Sequence, residues 1–248
     1  MDTAIAFGDT PRQYQLARAI LIYQSDDRKN CAASVHAINR YHGKPVVAPG
    51  QPVTVAALER LICGLGRNTG GSFIPPQILS VGLDMVAWWC PAGRRRIWFK
   101  PDKRFDASKD EETKRLLKLN GQFIHYPPLL FVAARGLKVY ALAADERPAP
   151  ETRLYQAPFW NLSDGGMCNG NLHLPESTPE NIASFEQAFF DSAFTHNSQG
   201  GRLTAHAGGY CTFLEDLARR KIPPNTQYWM ANLFPTERTV MNVIKSRE

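Results

Sequence analysis

The sequence predicts an α+β fold, in which antiparallel strands come first and helices come last along the chain. The middle of the chain holds short apolar runs separated by turn-forming residues, as in β-hairpins. The last third instead holds segments in which apolar residues recur at helical spacing. Strands and helices that are segregated in this way favour an antiparallel sheet with the helices packed on one side.

The N-terminal residues 1–75 are predicted to form a separate α/β region. Residues 13–24 are rich in Leu, Ile, Ala and Tyr and end at a polar turn, which indicates a strand. The pattern over residues 31–41 is mixed and fits either a strand or a helix. Residues 54–65 place apolar side chains on one helical face, with Thr54 as a candidate N-cap, and therefore predict a helix.

Two hairpins are predicted in the middle of the chain. The apolar runs 85–89 and 97–99 flank a proline-glycine turn, and the runs 129–134 and 137–143 flank an arginine-glycine turn. The charged, amphipathic residues 109–119 between the hairpins fit a helix or a bulky loop. The apolar runs are the strands of a predicted antiparallel meander sheet.

The last third of the chain is predicted to contain irregular backbone followed by helices. Residues 157–174 are rich in Gly and Asn without a regular period, which indicates irregular backbone. Residues 179–190 and 210–220 are predicted helices, the second ended by Pro223-Pro224. The aromatic residues 228–234 are expected to pack back onto the domain.

Composition narrows the class of protein without choosing a partner. Hydrophobic residues make up 44% of the 248 residues, which is enough for a folded core. The apolar stretch 17–23 is too short to span a bilayer, and the first ten residues lack the basic region of a signal peptide. We therefore expect a soluble cytoplasmic protein without a membrane partner. The net charge of +6 favours acidic partners but does not choose among protein, nucleic acid and lipid.

The cysteines do not form a metal or disulfide pattern. No two of the five are spaced as a C-x-x-C pair, so neither a structural zinc site nor a disulfide framework is expected. Free thiols are typical of a reducing cytoplasm. The five are Cys31, Cys63, Cys90, Cys168 and Cys211.

One cysteine lies in a segment that suits chemistry. Cys168 follows two glycines, Gly165 and Gly166, and lies among amide side chains that include Asn161 and Asn169. Glycines permit close backbone approach, and amide groups can stabilise an oxyanion. Cys168 is therefore a candidate nucleophile, with burial as a small hydrophobic residue as the alternative.

The same segment resembles the active-site segment of ubiquitin-conjugating enzymes. In those enzymes a His-Pro-Asn motif is followed by a short turn, a glycine and the catalytic cysteine; here Pro158 and Asn161 precede Gly165 and Cys168. The proline turn 126–128, which leads into an apolar strand, resembles a second feature of that family. The match is incomplete, because two aromatic residues separate the proline from the asparagine and no histidine stands before the proline.

A closer resemblance is to prokaryotic ubiquitin-conjugating-enzyme-like family D, the family of PRTRC system protein B. It covers roughly residues 75–200 and rests on short phrases at residues 88–89, 126–131, 139–143, 157–161, 167–171 and 189–196. The resemblance implies a ubiquitin-conjugating-like domain over residues 76–248 and leaves residues 1–75 as a family-specific region without an assigned role.

The resemblance also implies a reaction. An activating enzyme of the ThiF type would deliver a ubiquitin-like protein as a C-terminal thioester, which Cys168 would take over and pass to an amine. Asn161 is implied as the amide at the oxyanion, with bracing of its loop as the alternative. His173, His196 and Asp191 are candidates for a base or a supporting group. A metalloprotease of the same operon is an implied partner, and no cofactor or metal is expected.

Three other functions remain open from the sequence. A Cys–His hydrolase would use Cys168 with His173, His196 or His206. A non-catalytic adaptor would keep the fold and only bind a partner. A nucleic-acid-binding accessory protein would explain the charge and the aromatic residues near Trp98, but the sequence contains no recognisable nucleic-acid motif, so we do not expect that partner.

Overall fold

Two units make up the chain, Met1–Ser72 and Phe73–Glu248. The computed structural model describes residues 16–25, 31–54, 75–82, 84–101, 111–170, 172–198 and 200–246. Among these residues, no helix is long and apolar enough to cross a bilayer.

The described part of the first unit is an antiparallel sheet in the order β1-β2-β3. Its strands are β1 Arg18–Gln24, β2 Cys31–Tyr41 and β3 Lys44–Pro52. The predicted strand at 13–24 is confirmed over the described residues, and residues 31–41 form a strand rather than a helix. Apart from Thr54, the predicted helix at 54–65 lies outside the described residues.

The second unit is an α+β unit, as predicted, with a larger antiparallel sheet that comes first along the chain for most of its strands. The strands are β4 Ile78–Val81, β5 Val86–Cys90, β6 Gly93–Arg96, β7 Phe123–Tyr126, β8 Leu129–Ala133, β9 Leu137–Ala141, β10 Arg153–Gln156, β11 Leu162–Ser163, β12 Gly166–Met167 and β13 Pro235–Thr239. The helices are α1 Glu111–Lys118, α2 Ile182–Phe190, α3 Gly209–Arg219, α4 Thr226–Asn232 and α5 Val240–Lys245, with a 3-10 turn at Pro179–Asn181. Helix α1 lies between β6 and β7, and the other helices follow β12.

Strand pairing confirms one predicted hairpin and corrects the other. The larger sheet runs in the order β11-β12-β9-β8-β5-β4, with β10 joining β9 to β13. The β8–β9 hairpin is the one predicted at 129–134 and 137–143. The hairpin predicted between 85–89 and 97–99 is wrong, because β5 pairs with β4 and β8 while β6 pairs with β7.

Charge explains why the first hairpin does not form. β5 is almost fully buried and takes a central place in the sheet, where apolar strands gain most from burial. The arginines of β6 are exposed and cannot be buried beside it without a large desolvation cost. They leave the sheet and form a separate ribbon with β7, while Ile97 and Phe99 are buried without joining a strand pair of the large sheet.

The large sheet is buried on both faces, which corrects the prediction that all helices pack on one side. On one face Phe131 packs with Phe189 of α2 in the larger core. On the other face Leu130 and Val132 pack in a second core with Val240 and Val243 of α5. All five residues of β8 are buried, and such a continuous apolar run needs cover on both faces.

The helical predictions of the last third are confirmed. Residues 179–190 form the 3-10 turn and α2, and residues 210–220 correspond to α3. Residues 109–119, left open between helix and loop, include helix α1. The aromatic tail packs back as expected, with Trp229 buried against Phe213. The strand β13 that follows it was not predicted.

Candidate active site

A short hairpin carries the candidate nucleophile. Strands β11 and β12 pair through Leu162 with Met167 and Ser163 with Gly166, so the predicted irregular backbone at 157–174 contains a regular element. The two turn residues, Asp164 and Gly165, have φ angles of 46° and 80°. Positive φ at both positions is the requirement of a type I′ turn, which Asp-Gly meets well.

The turn of this hairpin is anchored on Tyr140 of β9. The Tyr140 hydroxyl donates a hydrogen bond to the Asp164 carbonyl oxygen at 2.9 Å, and the Val139 amide donates to the Gly165 carbonyl at 2.7 Å. A Cβ atom at position 165 would lie 2.3 Å from the Tyr140 ring. The turn therefore needs glycine for both its φ angle and its contact with the ring.

We expect Gly165→Ala to destabilise the second unit by about 3 kcal/mol, from the strained φ angle and the clash with Tyr140. Chemical denaturation of the purified variant measures this loss. Gly209→Ala is the matched control, since Gly209 has a φ of 75° but nothing within 4 Å of the added Cβ. Equal losses for the two variants would contradict the assigned role of the Tyr140 contact.

Cys168 is the first residue beyond the hairpin, and its side chain is exposed. Its amide donates to the Asn161 carbonyl at 2.7 Å, which closes the hairpin. Cys90 and Cys211 are buried, and burial raises the pKa of each of these thiols to about 12. Of the three cysteines whose side chains are described, Cys168 alone is accessible to a protein substrate.

This difference in exposure predicts selective alkylation. At pH 8 and in the folded protein, we expect iodoacetamide to modify Cys168 at least about tenfold faster than Cys90 or Cys211, because exposed thiolates react. Peptide mass spectrometry after a time course measures the three rates. Unfolding the protein first is the control and should remove the difference. Slower labelling of Cys168 than of the buried pair would contradict the described burial.

Asn161 braces the hairpin against residues 193–196. It is 6% exposed and has a φ of 61°. Its Nδ2 donates to the Ala193 carbonyl at 3.1 Å, and its Oδ1 accepts from the Thr195 amide at 2.9 Å and the Thr195 hydroxyl at 2.8 Å. Its own amide donates to the His196 carbonyl at 2.9 Å. These contacts fix the base of the hairpin to the loop that follows α2.

A cavity of about 440 Å³ opens beside the thiol, and we refer to it as the cysteine cavity. Its wall includes Cys168, Lys100, Asn169 and His196. Within the described part of the chain, the Asn169 Oδ1 atom is buried and has no hydrogen-bond partner. The cavity thus brings together the residues that carry a thiol, an ammonium group and an imidazole.

His196 is the histidine that the fold brings to the thiol. Its Nδ1 lies 2.9 Å from the Thr195 hydroxyl and its Nε2 lies 2.9 Å from the Ser198 hydroxyl. His173 is exposed and is not among the described residues that line the cysteine cavity. His206 is also absent from this lining and accepts a hydrogen bond from the Gly208 amide.

Asp191 lies at the end of α2 with an exposed side chain and is likewise not among the described lining residues. Its neighbours Ser192 and Ala193 do line the cavity. Among the described residues, no group of three or more His, Cys, Asp or Glu side chains is arranged to hold a metal ion.

Sequence reasoning missed Lys100, Thr195, Ser198 and the turn of the hairpin. Lys100 follows shortly after the basic run at residues 94–96, and its amide donates to the Phe194 carbonyl, which sets it beside the cavity. Thr195 and Ser198 flank His196 in the string Thr-His-Asn-Ser, and hydroxyls on both sides of a histidine are a signal for a hydrogen-bonded imidazole. The Asp164-Gly165 pair was a usable turn signal for the hairpin.

Comparison with known proteins identifies a protein family. No curated protein matches the chain, and no solved structure matches it. The model of prokaryotic E2 family D matches residues 59–239, which is well over half of the chain and includes the whole cysteine hairpin. The chain therefore belongs to prokaryotic E2 family D.

Proposed function

We propose that this protein is a ubiquitin-conjugating-like enzyme that carries a ubiquitin-like protein as a thioester on Cys168 and transfers it to an amine. Membership of the E2 family suggests a ubiquitin-conjugating-like role. The observation that carries the finer proposal is the exposure of the Cys168 thiol beside a cavity, while Cys90 and Cys211 are buried. A protein thioester needs a thiol that a large partner can reach.

The loading step is a transthiolation. The Cys168 thiolate forms a bond to the carbonyl carbon of the thioester on the activating enzyme, and the activating enzyme's sulfur leaves with its electron pair. The reaction is nearly balanced in energy because one thioester replaces another. The protein mainly has to position the groups and stabilise the transient oxyanion.

Lys100 and Asn161 have different parts in this proposal. Lys100 lines the cysteine cavity, and its positive charge stabilises the oxyanion. Asn161 acts as a positioning residue, since its Nδ2 and Oδ1 atoms already bond residues 193–196.

We propose the partners that the sequence resemblance implies. A ubiquitin-like protein is the cargo, a ThiF-type activating enzyme delivers it, and a metalloprotease encoded in the same operon is a further partner. Neighbouring genes for these three proteins would support the assignment, and the same neighbourhood supplies the proteins for reconstitution.

Reconstitution tests the proposal. The chain is mixed with the activating enzyme, the ubiquitin-like protein and ATP, and the products are separated on a non-reducing gel. We expect an adduct that thiol reagents remove, that persists in Cys63→Ala and that is absent in Cys168→Ala. Absence of the adduct with an activating enzyme that is itself charged would refute transthiolation.

A Cys–His hydrolase is the second candidate, because Cys168 and His196 line one cavity. In that reaction, water activated by the imidazole would hydrolyse the thioester and release the ubiquitin-like protein from Cys168. The same gel separates the two functions. A conjugating enzyme accumulates the adduct until an amine is added, whereas a hydrolase regenerates the free ubiquitin-like protein without any added amine.

A further inference from the structure

A second cavity adjoins the cysteine cavity. It has a volume of about 450 Å³ and lies between α1, the start of α3 and residues 195–197 and 201–204. Pro101, Thr195 and His196 line both cavities, so these residues form the wall between them. We call this space the α1–α3 cavity. The α1–α3 cavity therefore adjoins, through His196, the cavity that contains the Cys168 thiol.

The lining of the α1–α3 cavity suits an aliphatic amine. Apolar side chains, among them Leu116, Trp160 and Tyr210, line part of it and match a methylene chain. Glu112, an exposed residue in the first turn of α1, brings a carboxylate that attracts an ammonium group. Arg202 also lines the cavity, and its guanidinium lies 5.9 Å from the Phe234 ring.

Hydrogen bonds fix the tautomer of His196. The Thr195 hydroxyl donates its proton to Asn161 Oδ1 at 2.8 Å, so it accepts from His196 Nδ1 at 2.9 Å. A neutral imidazole with a proton on Nδ1 has its lone pair on Nε2. Ser198 then donates to Nε2 at 2.9 Å. Asn161 thus orients both the cysteine hairpin and the imidazole.

We infer that the α1–α3 cavity admits the primary amine of the acceptor, of the lysine side-chain class, and that His196 Nε2 takes a proton from its ammonium form before the nitrogen attacks the thioester on Cys168. The inference rests on the proposed function. His196 lines both cavities, and an ammonium group must lose a proton before its nitrogen can attack the thioester. The Ser198 hydroxyl gives way to the amine at Nε2.

The step balances as follows. The lysine ammonium gives one proton to His196 Nε2, and the neutral amine nitrogen then forms a bond to the thioester carbonyl carbon. The carbon–sulfur bond breaks, its electron pair leaves with the Cys168 sulfur, and the nitrogen loses a second proton to water. The products are an amide, an imidazolium, a hydronium ion and a thiolate, and the imidazolium returns its proton to water. The charged side chains that line the two cavities with His196 are Lys100, Glu112 and Arg202.

Single-turnover discharge tests the base. The Cys168 thioester is formed first, ATP is removed, and free lysine or hydroxylamine is added. We expect His196→Gln to slow discharge by lysine at least about tenfold near neutral pH, with each rate measured per loaded Cys168 thioester so that any change in loading does not enter the comparison. Hydroxylamine is already unprotonated at neutral pH, so its discharge should be the same in both proteins. A raised pH should narrow the difference for lysine.

The outcomes separate this inference from the function on which it rests. If the substitution slows discharge equally with lysine and with hydroxylamine, it only disturbs the loop, and the inference is overturned. If it slows discharge with neither amine, the inference is also overturned. In both cases loading of Cys168 still stands. Failure of the wild-type chain to load would instead refute the proposed function.

Neighbouring glutamates test the route of the amine. Glu111 and Glu112 are both exposed acidic residues in the first turn of α1, but only Glu112 is among the described residues that line the cavity. We expect Glu112→Lys to slow lysine discharge roughly twofold to fivefold by repelling the ammonium group, and Glu111→Lys to leave it unchanged. Equal rates in the two variants would overturn entry through this cavity.

Discussion

Replacing Cys168 by serine is expected to convert a thiol-sensitive adduct into one that resists dithiothreitol and lasts many times longer. A serine hydroxyl at this position would form an oxyester, which amines and thiols attack far more slowly than a thioester. The same exposed position and cavity would still receive the ubiquitin-like protein. Gel analysis with and without reducing agent, followed over time, measures the conversion.

Cys168→Ala is the companion to this variant and should form no adduct of either kind. Cys63→Ala is the control for cysteine substitution and should behave like the wild-type chain. A thiol-sensitive adduct that survives in Cys168→Ser would show that another cysteine carries the thioester and would contradict the assignment.

Removing the Asn161 side chain is expected to destabilise the second unit by about 3 kcal/mol and to weaken adduct formation. The alanine variant leaves the Thr195 amide and the Ala193 carbonyl without their partner, and each buried group left unpaired costs about 1–3 kcal/mol. The base of the hairpin would then separate from residues 193–196. Chemical denaturation measures the stability and the reconstituted gel measures adduct formation.

Asn225→Ala is the matched control for this loss. Asn225 caps α4 by accepting one hydrogen bond from the Tyr228 amide, so its removal should cost only about 1 kcal/mol and leave the adduct intact. If Asn161→Ala were no less stable than the control but failed to form the adduct, Asn161 would serve the oxyanion directly rather than brace the loop.

Local patterns in the sequence were sufficient for five elements of the second unit, β5, β8, β9, α2 and α3, and not for its other strands. Helical spacing identified α2 and α3, and two apolar runs around Arg135-Gly136 identified the β8–β9 hairpin. Such local patterns did not predict which strands pair when they are distant along the chain. The choice of β8 as the partner of β5 depends on burying β5 on both faces, and residues 91–128 separate the two strands along the chain.

For the site as well, the local sequence identified the cysteine but not the residues that the fold brings beside it. The glycine- and amide-rich segment singled out Cys168, and the fold places that thiol on the surface. Distance along the sequence was a poor guide to its neighbours. His173 is close to Cys168 in sequence but is not among the described lining residues, whereas His196 reaches the cavity because Asn161 bonds its loop.

For a related reason, the sequence did not predict that α5 covers the second face of the large sheet. α5 is only six residues long, and its contribution depends on Val240 and Val243 meeting Leu130 and Val132 from far along the chain. A short helix carries too little periodic signal to be recognised. The fully apolar β8 run was the indirect sign that a second layer had to exist.

Intact-mass analysis of the loaded protein tests the central claim most directly. After incubation with the activating enzyme, ATP and the ubiquitin-like protein, the chain should gain the mass of that protein less one water. The added mass should disappear with dithiothreitol and should map to Cys168 after digestion. A charged activating enzyme with no added mass on this chain, or an adduct that maps to another residue, would contradict thioester transfer through Cys168.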